Sequence, residues 1–192
     1  VPPAGGYGST EVGAVIHNFP IFNDFEARPG SLGKPMPGQE ICLLDKNGKK
    51  VSQGLVGEIV VKKRSKWFRK KDAAYADVDG YYWHKGRVDD VIISSGWTIS
   101  PAEIEDVLKK HSAVKEVAVI GVHDSERGQI VKALIVPKGN HGEENLTEEL
   151  QTFIKNRLSK HEYPKSIEYV NRIPKTESGK IRRKELRDRY AA

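Results

Sequence analysis

Three short segments carry side chains able to act on phosphate or on a carboxylate. The first, "GGYGSTE" at residues 5–11, reads as a Gly-rich turn that delivers a hydroxyl and a carboxylate side by side at Thr10 and Glu11. Backbone amides of such a turn can approach an anion closely, the hydroxyl can donate to a phosphate oxygen, and the carboxylate can hold Mg²⁺ directly or through water. Gly-rich turns also serve simply as turns. The second, "PKTESGKIRRKEL", places Lys180 after a Ser-Gly turn and at the start of a basic helix. A lysine there can swing on an exposed loop, and the same pattern describes an ordinary solvated helix. The third, "GRVDDVIISSGWTISPAEIEDVL", sets an arginine, two aspartates and a Gly turn before a Pro-initiated helix. It has the make-up of a flexible interdomain joint, and Asp89 or Asp90 could equally cap a turn.

The elements that must position these residues follow from hydrophobic pattern. "QEICLLDKNGKKV" predicts two strands joined by an Asn-Gly turn, "GLVGEIVVKK" another strand, and "DVDGYYWHKGR" a turn and strand, giving a β-rich part through residue 86. From residue 87 the pattern changes. "DDVIISSGW" reads as strand and loop, and Pro101 opens "PAEIEDVLKKH", with Ile104, Val107 and Leu108 on one helical face. "VKEVAVIGVHD" and "IVKALIVPK" are strong strands, "LTEELQTFIKNRLSKH" an amphipathic helix, "SIEYVNRIP" a short strand and "KIRRKELRDRY" a closing helix. Strands alternating with helices make residues 87–192 a compact α/β (α+β) domain.

Composition narrows the class. With 192 residues, 38% hydrophobic and 30% charged, the chain can bury a core and is not disordered. The single Cys42, inside the apolar run "ICLL", excludes an intramolecular disulfide and points to a structural thiol in a reducing, cytoplasmic setting. No stretch has the apolar length of a membrane span, and "VPPAGGYGSTEVG" lacks the pattern of a signal peptide. The net charge of +6 collects in "KKRSKWFRKK" and the C-terminal tail. Clustered Lys and Arg attract polyanions, but no recognised nucleic-acid motif accompanies them, which argues against nucleic acid as the partner.

Taken together, "YGSTE", the segment Asp72 to Arg87, "GRVDDVIISSGW" and "PKTESGK" occur in an order that resembles the adenylate-forming superfamily of acyl-CoA synthetases, aryl-CoA ligases, luciferases and peptide-synthetase adenylation domains. "RPGSLGKPMPG" and "SSGWTISPAEIEDVL" are most similar to the medium-chain acyl-CoA synthetase branch. The resemblance implies a β-rich C-terminal portion of the large adenylate-binding domain (1–86) followed by the small mobile domain (87–192). It implies a reaction of carboxylate, ATP and CoA through an acyl-adenylate to acyl-CoA, AMP and pyrophosphate. ATP or AMP would be held by Tyr7 on adenine, by Gly8, by Thr10 at phosphate, by Asp72 and Arg87 on the ribose, and by Lys180 as catalytic ammonium. Glu11 would hold Mg²⁺, and Asp89 would be the hinge. Coenzyme A would meet Ser95, Gly96, Trp97, Arg127, Lys155, Tyr163 and Lys165.

Three departures accompany the resemblance. The family's phosphate loop and most of its acyl pocket have no counterpart. The connection between "GEIVVKK" and "WFRKKDAAY" is short, and Lys70 and Lys71 stand where relatives usually have Thr-Gly. Thr98 replaces an arginine that many relatives carry. The expectation is therefore a C-terminal part, poorly active alone, with two alternatives: a subunit working in trans with a separate N-terminal polypeptide, or a noncatalytic CoA- or nucleotide-binding module.

Overall fold

A computed structural model of the chain describes residues 5–18, 25–139 and 143–190; the opening residues 1–4, part of the segment read as lacking a signal peptide, lie outside them. The chain divides into two compact units, Val1–Asp89 and Asp90–Ala192.

Among the described residues the regular elements of the first unit are all β-strands. β1 (Gly5–Ser9) pairs antiparallel with β2 (Gly13–Asn18), which also takes the short β3 (Lys34–Pro35). An antiparallel meander of β4 (Glu40–Leu44), β5 (Gly57–Lys63), β6 (Lys66–Ala76) and β7 (Tyr82–Arg87) forms a second sheet. Val15, Ile16, Leu43, Ile59, Val61 and Ala74 form the shared core between these strands.

Three features differ from the sequence reading. Residues 5–9 are a strand, and the turn begins only at Thr10. The glycine at position 8 serves close strand approach: a Cβ there would sit 2.3 Å from the Gly13 carbonyl oxygen. The predicted second strand of the Asn-Gly hairpin shrinks to a single Leu44–Lys50 bridge, because Asp45 Oδ1 accepts the amides of Asn47 and Lys49 and holds a local turn instead. The basic stretch from Lys66, not foreseen as a strand, is the longest in this sheet. A two-residue turn at Arg64-Ser65 joins it to β5, with Lys63 opposite Lys66.

β6 carries a bulge that positions the site. Glu58 faces Ala73 and Val60 faces Arg69, so the single Ile59 opposes Lys70, Lys71 and Asp72. Lys71 is driven into the left-handed region, φ +55. Glu58, only 6% exposed, caps the bulge: Oε1 accepts the Lys71 amide at 2.9 Å and Oε2 accepts Arg69 Nε at 2.8 Å. Burial pushes this carboxyl up, but the Arg69 and Lys71 hydrogen bonds outweigh it and hold the group below the usual range.

The second unit is a sheet with apolar packing on both faces. The hairpin of β8 (Ile92–Ser94) and β9 (Trp97–Ile99) leads into α1 (Pro101–Leu108), and β10 (Val114–Asp124) pairs antiparallel with β11 (Gly128–Pro137). α2 (Glu143–Lys155) makes the crossover to β12 (Ser166–Tyr169), parallel to β11, and α3 (Arg183–Tyr190) closes the unit. Val117, Val119, Val131, Ala133 and Ile135 pack with α1 and α2, while Ala118, Ile120 and Leu134 pack with Leu186 of α3. This two-sided burial is why β10 and β11 read as continuous apolar runs.

Two substitutions at the bulge have opposite expected effects on urea unfolding. Lys71→Gly relieves the left-handed strain and stabilises by about 0.5–1 kcal/mol after the glycine's own entropy cost. Glu58→Gln leaves buried donors poorly matched and costs about 1–3 kcal/mol. Because the folded Glu58 carboxyl titrates low, its stabilisation is present at neutral pH and is lost as pH falls through that lowered value. Glu58→Gln should therefore flatten the acid limb of the stability profile.

Candidate functional site

In the first unit the bulge aims Asp72 at β1. Tyr7 OH donates to Asp72 Oδ2 at 2.7 Å and Arg87 Nη1 donates to Oδ1 at 3.1 Å. Arg87 faces Asp72 directly across β6 and β7. A carboxylate offers about four lone-pair sites, so two stay available for hydroxyl donors. Burial first and the Asp72 hydrogen bond second push the Tyr7 phenol well above its ordinary range, so it remains a donor. The ring of Tyr7 lies beside a cavity of about 390 Å³ that is also lined by Gly8, Ser9, Ile16 and Met36. Three of the residues expected at a nucleotide thus converge on one point.

At the turn after β1, Thr10 is exposed and Glu11 is engaged. Lys70 Nζ donates to Glu11 Oε2 at 2.9 Å and Lys63 Nζ to the Glu11 carbonyl at 3.0 Å. The Ser9 hydroxyl first, then the Lys70 ammonium, hold the Glu11 carboxyl down at about 2. Ser9 Oγ itself is buried without a hydrogen bond of standard geometry. Lys70 is only 10% exposed along its side chain. Among the described residues no group of three or more His, Cys, Asp or Glu side chains could hold a metal ion.

In the second unit Ser95 and Gly96 form the two-residue turn between β8 and β9, at φ +49 and +81, a backbone that suits glycine at the second position. The Ser95 amide donates to the Arg127 carbonyl at 2.9 Å, which ties this turn to the β10–β11 hairpin. Trp97, exposed, stacks on His161 with ring centroids 4.1 Å apart. Ser95, Trp97, Arg127, Tyr163 and Lys165 line one small cleft. Lys155 stands outside it with its ammonium 4.2 Å from the Tyr163 ring centroid. Lys160 and His161, read from sequence as the end of an amphipathic helix with no site role, lie beyond the end of α2 at Lys155 and also line the cleft.

Lys180 lies on a tight turn and not at the start of α3: Gly179 N donates to Thr176 O at 2.9 Å and Lys180 N to Thr176 Oγ1 at 3.1 Å, three residues before the helix. It is exposed, and among the described residues its ammonium has no partner. The two aspartates of the joint separate clearly. Asp90 Oδ1 accepts Arg187 Nη1 at 2.5 Å and Asp90 Oδ2 lies 3.7 Å from Arg183 Nη1, whereas Asp89 is exposed. Arg183 Nη2 also donates to the buried Glu105 at 2.6 Å, so much of the basic tail is neutralised internally.

Residues 2–66 match the family model described as AMP-binding enzyme, and residues 103–180 match that of the AMP-binding enzyme C-terminal domain. An uncharacterised acyl-CoA ligase of Bacillus subtilis, YtcI, is 39% identical over 206 residues, covering 96% of this chain and 38% of that protein. The mitochondrial acyl-coenzyme A synthetase ACSM4 of Homo sapiens is 38% identical over 209 residues, covering 95% of this chain and 36% of that protein. The crystal structure of the anthranilate CoA ligase AuaEII with anthranoyl-AMP aligns with a TM-score of 0.78 at 34% identity, over 97% of this chain and 39% of that one. The chain spans little more than a third of the length of these relatives. Both sequence alignments are longer than the chain itself, so they open gaps against it, and the first family match stops at residue 66, where β6 begins. No helix among the described residues is long and apolar enough to cross a membrane.

The Glu11 carboxyl gives a direct check of this geometry. A carbon-detected NMR titration should place its midpoint near 2, well under the roughly 4.3 of a free glutamate, and Lys70→Met should move it upward.

Proposed function

From a chain that belongs to the AMP-binding enzymes and is homologous to acyl-CoA synthetases over nearly its whole length, we infer a role as the part of a carboxylate–CoA ligase that holds the nucleotide ribose and the CoA thiol arm. The observation that carries this reading is the Tyr7–Asp72–Arg87 cluster beside an open cavity. Asp72 accepts the ribose hydroxyls, Arg87 fixes the carboxylate that does so, and the Tyr7 ring, pinned by its own hydroxyl, offers a face to adenine. Gly8 and Thr10 lie at the phosphate side.

In the reaction a carboxylate oxygen attacks the α-phosphorus of ATP and pyrophosphate leaves; the CoA sulfur then attacks the acyl carbon, AMP leaves with the bonding electrons, and the thiol proton passes to solvent. Lys180, an unpartnered ammonium on a rigid turn, stabilises the charge that builds between carboxylate and α-phosphate in the first step. Ser95, Gly96 and Trp97 flank the thiol arm in the second. Arg127, Tyr163 and Lys165, with Lys155 outside the cleft, meet the CoA nucleotide. Asp89 is the hinge, a role favoured by the division of the chain between Asp89 and Asp90 and by the anchoring of Asp90 alone to α3. The substrates are small molecules, the setting is cytoplasmic, and the acyl chain is selected by residues of the larger enzyme.

We read the chain as a part that is poorly active alone, with work in trans beside a separate N-terminal polypeptide as the alternative. ATP–pyrophosphate exchange with acetate, butyrate and octanoate tests this, alone and with the N-terminal part of a relative added. Exchange that appears or rises on mixing and falls about a hundredfold or more with Lys180→Ala supports the ligase reading. Absence of exchange in both, with AMP and CoA still bound, supports a noncatalytic binding module. Absence of binding to either contradicts both. Asp72→Asn should weaken AMP binding about tenfold, the loss of one charge-assisted hydrogen bond.

A further inference from the structure

The residues around Glu11 do not suit a divalent cation. One carboxylate oxygen already accepts Lys70 Nζ at 2.9 Å, and Lys63 Nζ sits on the backbone carbonyl of the same residue at 3.0 Å. A cation bound by both oxygens of Glu11, or through Oε2, must share that oxygen with an ammonium or expel it. Expulsion is opposed by the strand: Lys70 belongs to the bulge capped by Glu58, its side chain is nine-tenths buried, and its own carbonyl accepts Arg87 Nη1 at 3.3 Å. An ammonium driven from that position would leave a charge buried without its counterion.

The surroundings add positive charge. In the β5–β6 hairpin Lys62 is paired with Glu40 and Arg69 with Glu58, while Arg64 and Lys66 have no acidic partner among the described residues. The hydroxyl of Ser9, on the strand that leads into the same turn, faces the Glu11 carboxylate as well, so that carboxylate already has a hydroxyl and an ammonium against it. Ammonium groups suit the oxygens of a polyphosphate, and the hairpin supplies the neutralising charge that a divalent ion supplies elsewhere.

We propose that the phosphate end of this site is metal-independent: Lys70 occupies the place on Glu11 that a divalent cation would take, and Lys70 and Lys63 meet polyphosphate oxygens directly. The proposal rests on the nucleotide reading for its position in the reaction, but its two parts are measurable without nucleotide.

Metal exclusion is read with Mn²⁺ as the probe. Paramagnetic broadening of the Glu11 side-chain carbon should be no greater in the intact chain than at exposed carboxylates such as Glu126, and Lys70→Thr should raise it severalfold. Polyphosphate binding is read with inorganic tripolyphosphate by calorimetry in excess EDTA. Binding should persist in EDTA, gain less than twofold from Mg²⁺, and weaken about tenfold in Lys70→Met and in Lys63→Met. Should the Lys70 variants fail to fold, the unaltered chain with Mn²⁺ and the exposed Lys63→Met variant still decide. Selective Mn²⁺ broadening at Glu11 in the unaltered chain, or tripolyphosphate binding that vanishes in EDTA, overturns the proposal. AMP, which has no β- or γ-phosphate, separates the two readings: AMP that fails to bind while tripolyphosphate binds in EDTA removes the nucleotide reading and leaves this one standing. AMP that binds while tripolyphosphate demands Mg²⁺ does the reverse.

Discussion

One residue against three in the β5–β6 ladder sets the geometry on which the first unit's chemistry depends. A regular antiparallel pairing would send alternate residues of β6 to opposite faces. Lys70 and Asp72, two residues apart, keep the common side that this alternation gives them and reach the β1 end of the unit, the one at Glu11 and the other at Tyr7, while the bulge opposite Ile59 absorbs the two extra residues between Arg69 and Ala73. Its cost is a lysine in a left-handed conformation and a ladder interrupted for three residues. A single carboxylate, Glu58, offsets that cost by accepting the displaced Lys71 amide and the Arg69 side chain from a nearly closed position.

The second unit solves a different problem with charge. Its sheet is apolar on both faces, so helices must cover it, and α3 is too polar to be held by burial alone: Leu186 is its one fully buried large side chain. Arg183 and Arg187 supply the remainder by reaching Glu105 of α1 and Asp90. Burial raises the Glu105 carboxyl while Arg183 opposes the rise, so the pairing keeps a buried acid in use as an acceptor. The tail that looks like a polyanion-binding patch in sequence is therefore largely a structural ion-pair network, and the free ammonium of Lys180 stands apart from it on its own turn.

The strands and helices of the second unit were legible because their periodicities are long and regular: β10 and β11 by uninterrupted β-branched runs, α1 by Pro101 and the Ile104–Leu108 face. The first unit was legible where apolar residues run together, as in β5, whose Ile59, Val60 and Val61 are all buried. The basic run of β6 hid a strand because the partners that neutralise it, Glu58 and Glu11, lie 11 and 59 residues away along the chain. Long-range pairing leaves no local signal. The Gly-rich opening was misread as a turn because glycine there permits close strand approach, which in sequence looks the same as turn chemistry. Family membership was legible from four ordered motifs, whereas the stacking of His161 on Trp97 had no sequence signal beyond residue type.

The account turns on Asp72 as a receiver of ribose hydroxyls, held by Tyr7 and Arg87 in a unit whose relatives are acyl-CoA ligases. The measurement that tests this most directly compares calorimetric binding of AMP with that of 2′,3′-dideoxyadenosine monophosphate. The account predicts that removing both hydroxyls weakens binding by about tenfold or more, since two charge-assisted hydrogen bonds are lost. Equal affinity for the two nucleotides, or binding of neither, would contradict it.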